Sequence, residues 1–281
     1  MTNIESRMKN VTRRSRSIPR KLIRDGALHL VPLYYVMRLS DLAREGIEHS
    51  GSFRFADHIY RSTPSGRTVL GRWIDARLLA MPAARAFRRR CKRAQHTVRL
   101  ALESFPADVQ PLRVLAVPCG IPRDMIDLSR ALRSENPALL SRIEYHGVDI
   151  DPLPLAVASS LTAQCGLGSV HYHLGDALNS DAYPRLKFHV VVSTGLGEFL
   201  RDDELAAFYA RVHDLLEPGA TFYTSATARD ARSDLLLQMA ELVTTYRGPD
   251  ELERILRTLP WSRLDVTCDP SGLQTFVAAV K

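Results

Sequence analysis

From residue 106 onward the chain alternates short apolar runs with amphipathic stretches, and no other feature narrows its fold as far. Leu112 to Val117, Ile143 to Val148, Val170 to Leu174, Val190 to Ser193 and Ala220 to Thr224 are each of strand length, and each is followed by a helix or loop. Strands alternating with helices imply βαβ units, and hence a parallel sheet with right-handed crossovers. Two further runs, Arg263 to Cys268 and Gln274 to Val280, flank the turn Asp269-Pro270-Ser271-Gly272 and read as an antiparallel hairpin. The expected fold is α/β: a doubly wound, mostly parallel seven-stranded sheet over 106–281 with an antiparallel C-terminal edge.

Ahead of the sheet, residues 25–105 read as a helical region, with Leu28, Val31, Tyr35, Leu39 and Leu42 recurring at threes and fours. Turn residues at 50–52 and 62–66 divide it. Its second half carries Arg88, Arg89, Arg90, Lys92 and Arg93, which a helix would spread around its cylinder, so a solvated face is expected. The formal charge of +7 suggests nucleic acid until it is located. Residues 1–24 hold eight Lys and Arg against Glu5 alone, and the remainder balances at 30 basic and 30 acidic residues. The basicity therefore belongs to a tail, expected to be a flexible, solvated arm with at most loose attraction to anions.

The four cysteines, Cys91, Cys119, Cys165 and Cys268, form no CxxC or Cys/His pattern. That argues against structural zinc, sets a metal requirement aside and favours a reducing cytoplasm. The basic N-terminus lacks the apolar core of a secretory signal. His29, Arg38 and Asp41 interrupt the one segment that might tempt a membrane reading, so no integral membrane association is expected.

In a doubly wound sheet, ligands sit at the carboxyl ends of the strands. The first such loop reads Val117-Pro118-Cys119-Gly120-Ile121-Pro122-Arg123-Asp124, where Gly120 permits close backbone approach and Pro122 suits a helix start. The second strand ends at Asp149-Ile150-Asp151, and a carboxylate there can accept from both hydroxyls of a ribose. The third ends at Gly175-Asp176-Ala177, where an acid can accept from an adenine amino group while the next N–H reaches a ring nitrogen.

On these residues the chain resembles the class I S-adenosylmethionine-dependent methyltransferases over roughly 106–281. Ala116-Val117-Pro118-Cys119-Gly120-Ile121-Pro122 falls where that family has an acid and a glycine-rich run. Asp149 matches the ribose-binding acid, Asp176-Ala177 the adenine-binding pair, and Phe188 to Gly195 the fourth strand and its loop. Leu215-Leu216-Glu217-Pro218-Gly219-Ala220 is similar to the family's Pro-Gly turn before the fifth strand. The resemblance implies S-adenosyl-L-methionine as cofactor, held by Pro118, Gly120, Asp149, Ile150, Asp176, Ala177, Ser193 and Thr194. Two departures stand out. Ala116 replaces an acid that in the family helps hold the methionine amino group, which leaves Asp124, Ser193 or Glu198 to supply a polar contact. The 29 residues from Gly120 to Asp149 exceed the ~20 of a standard dinucleotide unit, so an extended first helix is expected. The N-terminal part more faintly resembles a bacterial family of methyltransferases, through Asp57-His58-Ile59-Tyr60-Arg61 and Leu70-Gly71-Arg72-Trp73-Ile74-Asp75.

Methyl transfer from a sulfonium needs alignment and exclusion of water more than covalent machinery. The loop Ser193-Thr194-Gly195-Leu196-Gly197 lacks the Asn-Pro-Pro-aromatic signature of base methylation, so a small-molecule oxygen, nitrogen or carboxylate acceptor is favoured and nucleic acid is not expected. Glu198, Tyr60 and His58 are put forward for catalysis, with His173 weighed as another general base. The helical region is read as a lid supplying the acceptor pocket; packing on the sheet or a homodimer interface is the alternative. The rival functions are an RNA methyltransferase and a non-methylating S-adenosylmethionine-binding module.

Overall fold

Each apolar run is strand-length, and the central ones are buried while 169–174 and 263–268 are half-exposed, as suits inner and edge strands of a sheet. In the computed structural model, which describes residues 18–48, 52–229 and 244–281, these runs form one seven-stranded sheet. Its strands are β1 (Leu112–Ala116), β2 (Ile143–Asp149), β3 (Ser169–Leu174), β4 (Phe188–Ser193), β5 (Leu216–Thr227), β6 (Arg263–Cys268) and β7 (Gln274–Val280), in the order β3-β2-β1-β4-β5-β7-β6. The first five pair in parallel. The expected hairpin is present, and β7 inserts antiparallel between β5 and β6, so β6 forms the outer edge. Between Phe188 and Val190 of β4, the β5 side advances from Leu216 to Thr221. The Pro218-Gly219 turn is accordingly a bulge inside β5, with Gly219 at φ +78 and its N–H donated to the Lys281 carbonyl at 3.0 Å.

One face of the sheet is packed by the long helix Pro82–Glu103, α6 in chain order, through Ala94, Val98, Ala101 and Leu102, together with Met125, Leu128 and Leu132 of α7 (Arg123–Glu135). The segment between α7 and β2 departs from expectation. Instead of one extended helix there are two, because Asn136 leaves helical geometry (φ −152, ψ 72) before Pro137, and α8 (Pro137–Arg142) starts afresh with Asn136 accepting the Leu139 N–H at 3.1 Å. After β2, Asp151 caps α9 (Pro152–Thr162) by accepting from Leu153 N–H at 2.9 Å. Tyr209 of α10 (Asp202–Leu215) lies edge-on to Phe222 of β5 at 5.3 Å, and α11 (Pro249–Leu256) follows.

The described residues fall into two compact units, 18–88 with 229 and 244, and 89–228 with 245–281. The expected division at 105/106 thus falls elsewhere, because α6 from Arg89 onward packs with the sheet. The helical unit contains α1 (Ile18–Arg24), α2 (Leu30–Met37), α3 (Asp41–Glu48), α4 (Phe53–Arg61), α5 (Val69–Leu79) and the start of α6. Of the expected tail over 1–24, residues 1–17 lie outside the described residues, and 18–24 are helical. Ile18 packs with Tyr34, Met37, Ala43, Ile47 and Ile74, so this stretch is not a solvated arm. The apolar period read across 28–42 also shifts. Tyr34, Met37 and Leu42 are buried while Leu28, Tyr35 and Leu39 are exposed, since α2 ends at Met37 and the register restarts at α3. Among the described residues no helix is long and apolar enough to cross a membrane.

His189 of β4 marks a pH-sensitive point of the sheet. Its Nδ1 accepts the Arg113 N–H at 3.0 Å, and its ring meets Phe105 edge-on at 4.8 Å. Burial pushes its pKa down, so the folded protein holds it neutral while the unfolded chain protonates near 6.5. Stability therefore falls as pH drops below about 6.5, where the unfolded state binds more protons. His189→Asn keeps an acceptor and removes the titration. It should flatten the loss of stability between about pH 6.5 and 5 in denaturant melts; an unchanged slope would assign that loss to other groups.

Candidate functional site

The strand order reverses between β1 and β4, which opens a crevice at the carboxyl ends of the strands. Beyond β1 the chain stays tied to both neighbours, Val117 N–H donating to Val192 O and Cys119 N–H to Val148 O, each at 2.9 Å. Gly120 then turns at φ +47 and donates its N–H to Asp149 Oδ2 at 2.8 Å. The other oxygen of Asp149 accepts from Asp151 N–H at 3.0 Å, and the Asp149 carbonyl accepts from Gly175 N–H at 2.9 Å. Burial raises the Asp149 pKa, while these backbone donors oppose the rise. Each carboxylate oxygen keeps a further lone pair for a hydroxyl donor. Asp176 turns the chain after β3, its Oδ1 accepting Leu178 N–H at 2.9 Å, and the carbonyl of buried Ala177 is held by the Tyr183 hydroxyl at 2.6 Å. Ser193 is buried at the end of β4 beside Thr224. Asp176, Asp149, Gly120 and Ser193 thus stand in spatial order on four adjacent strand tips, with half-buried Pro118, Ile150 and Thr194 next to them.

Ala116 leaves space beneath the first loop. A cavity of about 10 Å³, room for about one water, is lined by Ala116, Val114, Val192, Gln95, Tyr145 and Asp124 among others. The Tyr145 hydroxyl there is buried without a hydrogen-bond partner. Asp124, in the first turn of α7, has its pKa raised by burial and accepts Met125 N–H at 2.9 Å. The acid missing from the end of β1 is therefore matched by a carboxyl on the helix that follows it.

The loop after β4 is held by buried charges, of which the sequence singles out Glu198 but not Arg90 or Arg247. Glu198, on the short 3-10 turn Gly197–Phe199, pairs through Oε1 with Arg90 Nη1 at 3.4 Å and accepts from the Thr227 hydroxyl. Arg90 is 4% exposed and departs from the solvated face expected for the 88–93 cluster, of which Arg89, Lys92 and Arg93 are exposed. It occupies the buried stripe Ala86, Arg90, Ala94, Val98, Leu102, recurring every fourth residue. A lone charge in that stripe was the available signal. Gly195, at φ +86, turns directly above the pair: an added Cβ would lie 3.7 Å from Glu198 Oε2 and 3.8 Å from Arg90 Nη1. Arg247, 3% exposed, donates to Asp202 Oδ1 at 2.9 Å, to Leu200 O at 2.7 Å and to Gly197 O, closing the loop from the far side.

His58 and Tyr60 lie on α4 in the helical unit. His58 Nε2 sits 3.1 Å from Thr63 O, 3.4 Å from Ser65 Oγ and 3.9 Å from Asp75 Oδ2. Asp75 is fully buried and also accepts from the Ser40 hydroxyl, from Leu42 N–H at 3.2 Å and from Ser65 N–H at 2.9 Å. The two N-terminal motifs thus meet around one carboxylate. His173 lies on β3, its ring stacked 5.4 Å from His146.

This strand order, with its last strand inserted antiparallel and an acid at the tip of β2, is the fold of class I S-adenosylmethionine-dependent methyltransferases. A family model described as "Putative methyltransferase" matches residues 32–258, and the chain belongs to that family. It is 23% identical over 239 residues to the uncharacterized protein YnbC of Escherichia coli K12, which covers 80% of this chain; the chain spans 39% of that protein's length. Among solved structures, a possible exported protein from Bordetella parapertussis superposes with a TM-score of 0.73 at 19% identity, covering 100% of this chain and 97% of that one. The magnesium protoporphyrin IX methyltransferase of Synechocystis PCC 6803 with bound SAH gives 0.52 at 13% identity, with coverages of 80% and 93%. At these identities the likeness is one of fold.

The Arg90–Glu198 pair is testable by itself. Arg90→Ala leaves a carboxylate buried without its guanidinium and should cost about 3–5 kcal/mol of stability. In a double-mutant cycle with Glu198→Gln, denaturant melts should give a coupling of about 1–3 kcal/mol; simple additivity would show that the two side chains act independently.

Proposed function

We propose that the chain binds S-adenosylmethionine along the tips of β3, β2, β1 and β4 and transfers its methyl group to a small-molecule acceptor. The observation that carries this reading is the buried Asp149 carboxylate, fixed by Gly120 N–H at the switch point with lone pairs left for two ribose hydroxyls. In this reading Asp176 and the Ala177 N–H take the adenine edge, and Ile150 offers it an apolar face. Pro118 and Gly120 bring the first loop close to the ligand. Asp124, with Ser193 and Thr194, holds the methionine end in place of the acid absent at Ala116.

S-adenosylmethionine, when bound, supplies a methyl group already activated on sulfonium. The chain's part is to orient and to exclude water. Glu198 is engaged by Arg90 and Thr227, so it shapes the wall of the site and is a positioning residue, not a base. That favours an acceptor nucleophilic without proton removal, above all a carboxylate or another oxygen ionised at neutral pH. Tyr60 and His58 lie on α4 of the helical unit, where His58, held by Thr63 and Ser65, positions its turn. The free state of all four cysteines fits the reducing cytoplasm proposed for the protein.

Calorimetry with S-adenosylmethionine and S-adenosylhomocysteine tests the reading. Asp149→Ala should weaken both by about 1.5–3 kcal/mol, roughly 10- to 150-fold, with a melt confirming that the variant folds. Asp124→Asn should weaken binding of both while sparing adenosine, which lacks the methionine arm. Wild-type protein that binds neither compound would overturn the proposal.

A further inference from the structure

The face of the sheet at its β3 edge carries a cluster that methyl transfer does not use. Glu144 and His146 project from β2, and His171 and His173 from β3, with His146 registered opposite His171. His146 Nε2 lies 2.8 Å from Glu144 Oε1, and His171 Nε2 lies 3.9 Å from the same oxygen. The three ligand atoms of Glu144, His146 and His171 are all within 4.8 Å of one another. On its other side, His146 Nδ1 lies 3.1 Å from His173 Nε2, and Glu144 Oε2 lies 3.4 Å from Arg113 Nε.

We propose that Glu144, His146 and His171 form a binding site for a divalent transition-metal ion of the zinc class, with His173 orienting His146. The geometry is that of a two-histidine, one-carboxylate site. Bonds of about 2.0–2.2 Å in a tetrahedron place neighbouring ligand atoms about 3.3 Å apart. The 2.8 and 3.9 Å separations straddle that value and the third is within 4.8 Å, so closing the site around an ion takes side-chain rotations of up to about 1.5 Å, which half-exposed His171 is free to make. The surroundings fit as well. A ligating histidine donates its other ring N–H to a fixed acceptor. Were His146 Nε2 to bind metal, its Nδ1 would carry the proton and donate to His173 Nε2. Arg113 Nε stands 3.4 Å from the far carboxylate oxygen, an ion pair that leaves Oε1 on the side of the histidines. His146 is 4% exposed in its side chain, while His171 is 48% exposed, which leaves a path for the ion and a position for water. Such an ion would clamp edge strand β3 to β2 about 10 Å back from the Asp149 tip, outside the crevice. The site is independent of the methyl-transfer reading.

The full-length protein, treated with chelator and dialysed, should bind one equivalent of Zn²⁺ in calorimetry and melt at a higher temperature with the ion. Co²⁺ should give the visible d–d absorption of a low-symmetry site. His171→Ala, at a half-exposed edge position, should fold, lose the thermal shift and weaken Zn²⁺ binding at least about tenfold; Glu144→Gln should weaken it too, and His173→Ala by a smaller factor. Cys268→Ser, which removes an exposed thiol elsewhere, should leave all three readouts unchanged. Zn²⁺ affinity equal in wild type and His171→Ala, or binding without a thermal shift, would overturn the site.

Discussion

A carboxylate at the tip of β2, bonded to the loop after β1 where the strand order reverses, organises the sheet unit. Asp149 is buried, and a buried charge survives only with hydrogen bonds to compensate its lost hydration. Gly120 and Asp151 supply those bonds from the backbone, and in doing so they fix the loop after β1 against the tip of β2. The Asp149 carbonyl holds the start of the Asp176 turn through Gly175. One residue thereby sets the relative positions of three strand ends. It also explains the glycine at 120, since a turn at φ +47 with its N–H aimed at a carboxylate is strained for any residue with a Cβ.

Other buried charges work in the same way on other segments. Arg90 and Arg247 grip the loop after β4 from two sides, one through the Glu198 carboxylate and one through the carbonyls of Gly197 and Leu200. A loop with glycines at 195 and 197 has little intrinsic preference for one conformation, and these guanidiniums supply it. In the helical unit, Asp75 gathers the N-terminus of α3, the Ser65 turn and His58. Gly71 lets α5 come close to the Leu39 carbonyl, where a Cβ would stand 2.1 Å from the oxygen. His58, Gly71 and Asp75 of the two N-terminal motifs are thus accounted for by packing and hydrogen bonding within that unit.

The strands, their order of appearance and the C-terminal hairpin were legible in the sequence because they are local. Strand length, alternation with helices and a Pro-Ser-Gly turn act over a few residues at a time. Asp149 and Asp176 were legible for a related reason: the end of a parallel strand is the place where a side chain can face a ligand. The break at Pro137 is equally local: segment length alone suggests one long helix, but a proline disfavours helical backbone in the residue before it.

Tertiary structure alone decided what depends on the register between distant elements. Arg90 reads as one of five basic residues until the Ala86 to Leu102 stripe turns inward, and Arg247 has no neighbour in sequence that marks its target. The match of Asp124 to the gap at Ala116 requires α7 to lie against β1, and the meeting of His146 with His171 and His173 requires β2 and β3 to pair residue for residue. The sequence determined which segments become strands and which strand tips carry acids, because backbone preference and hydrophobic period are properties of neighbours. Which charges are buried together follows from long-range packing; in β2 and β3, for example, a shift of one residue in register would send His146 or His171 to the opposite face.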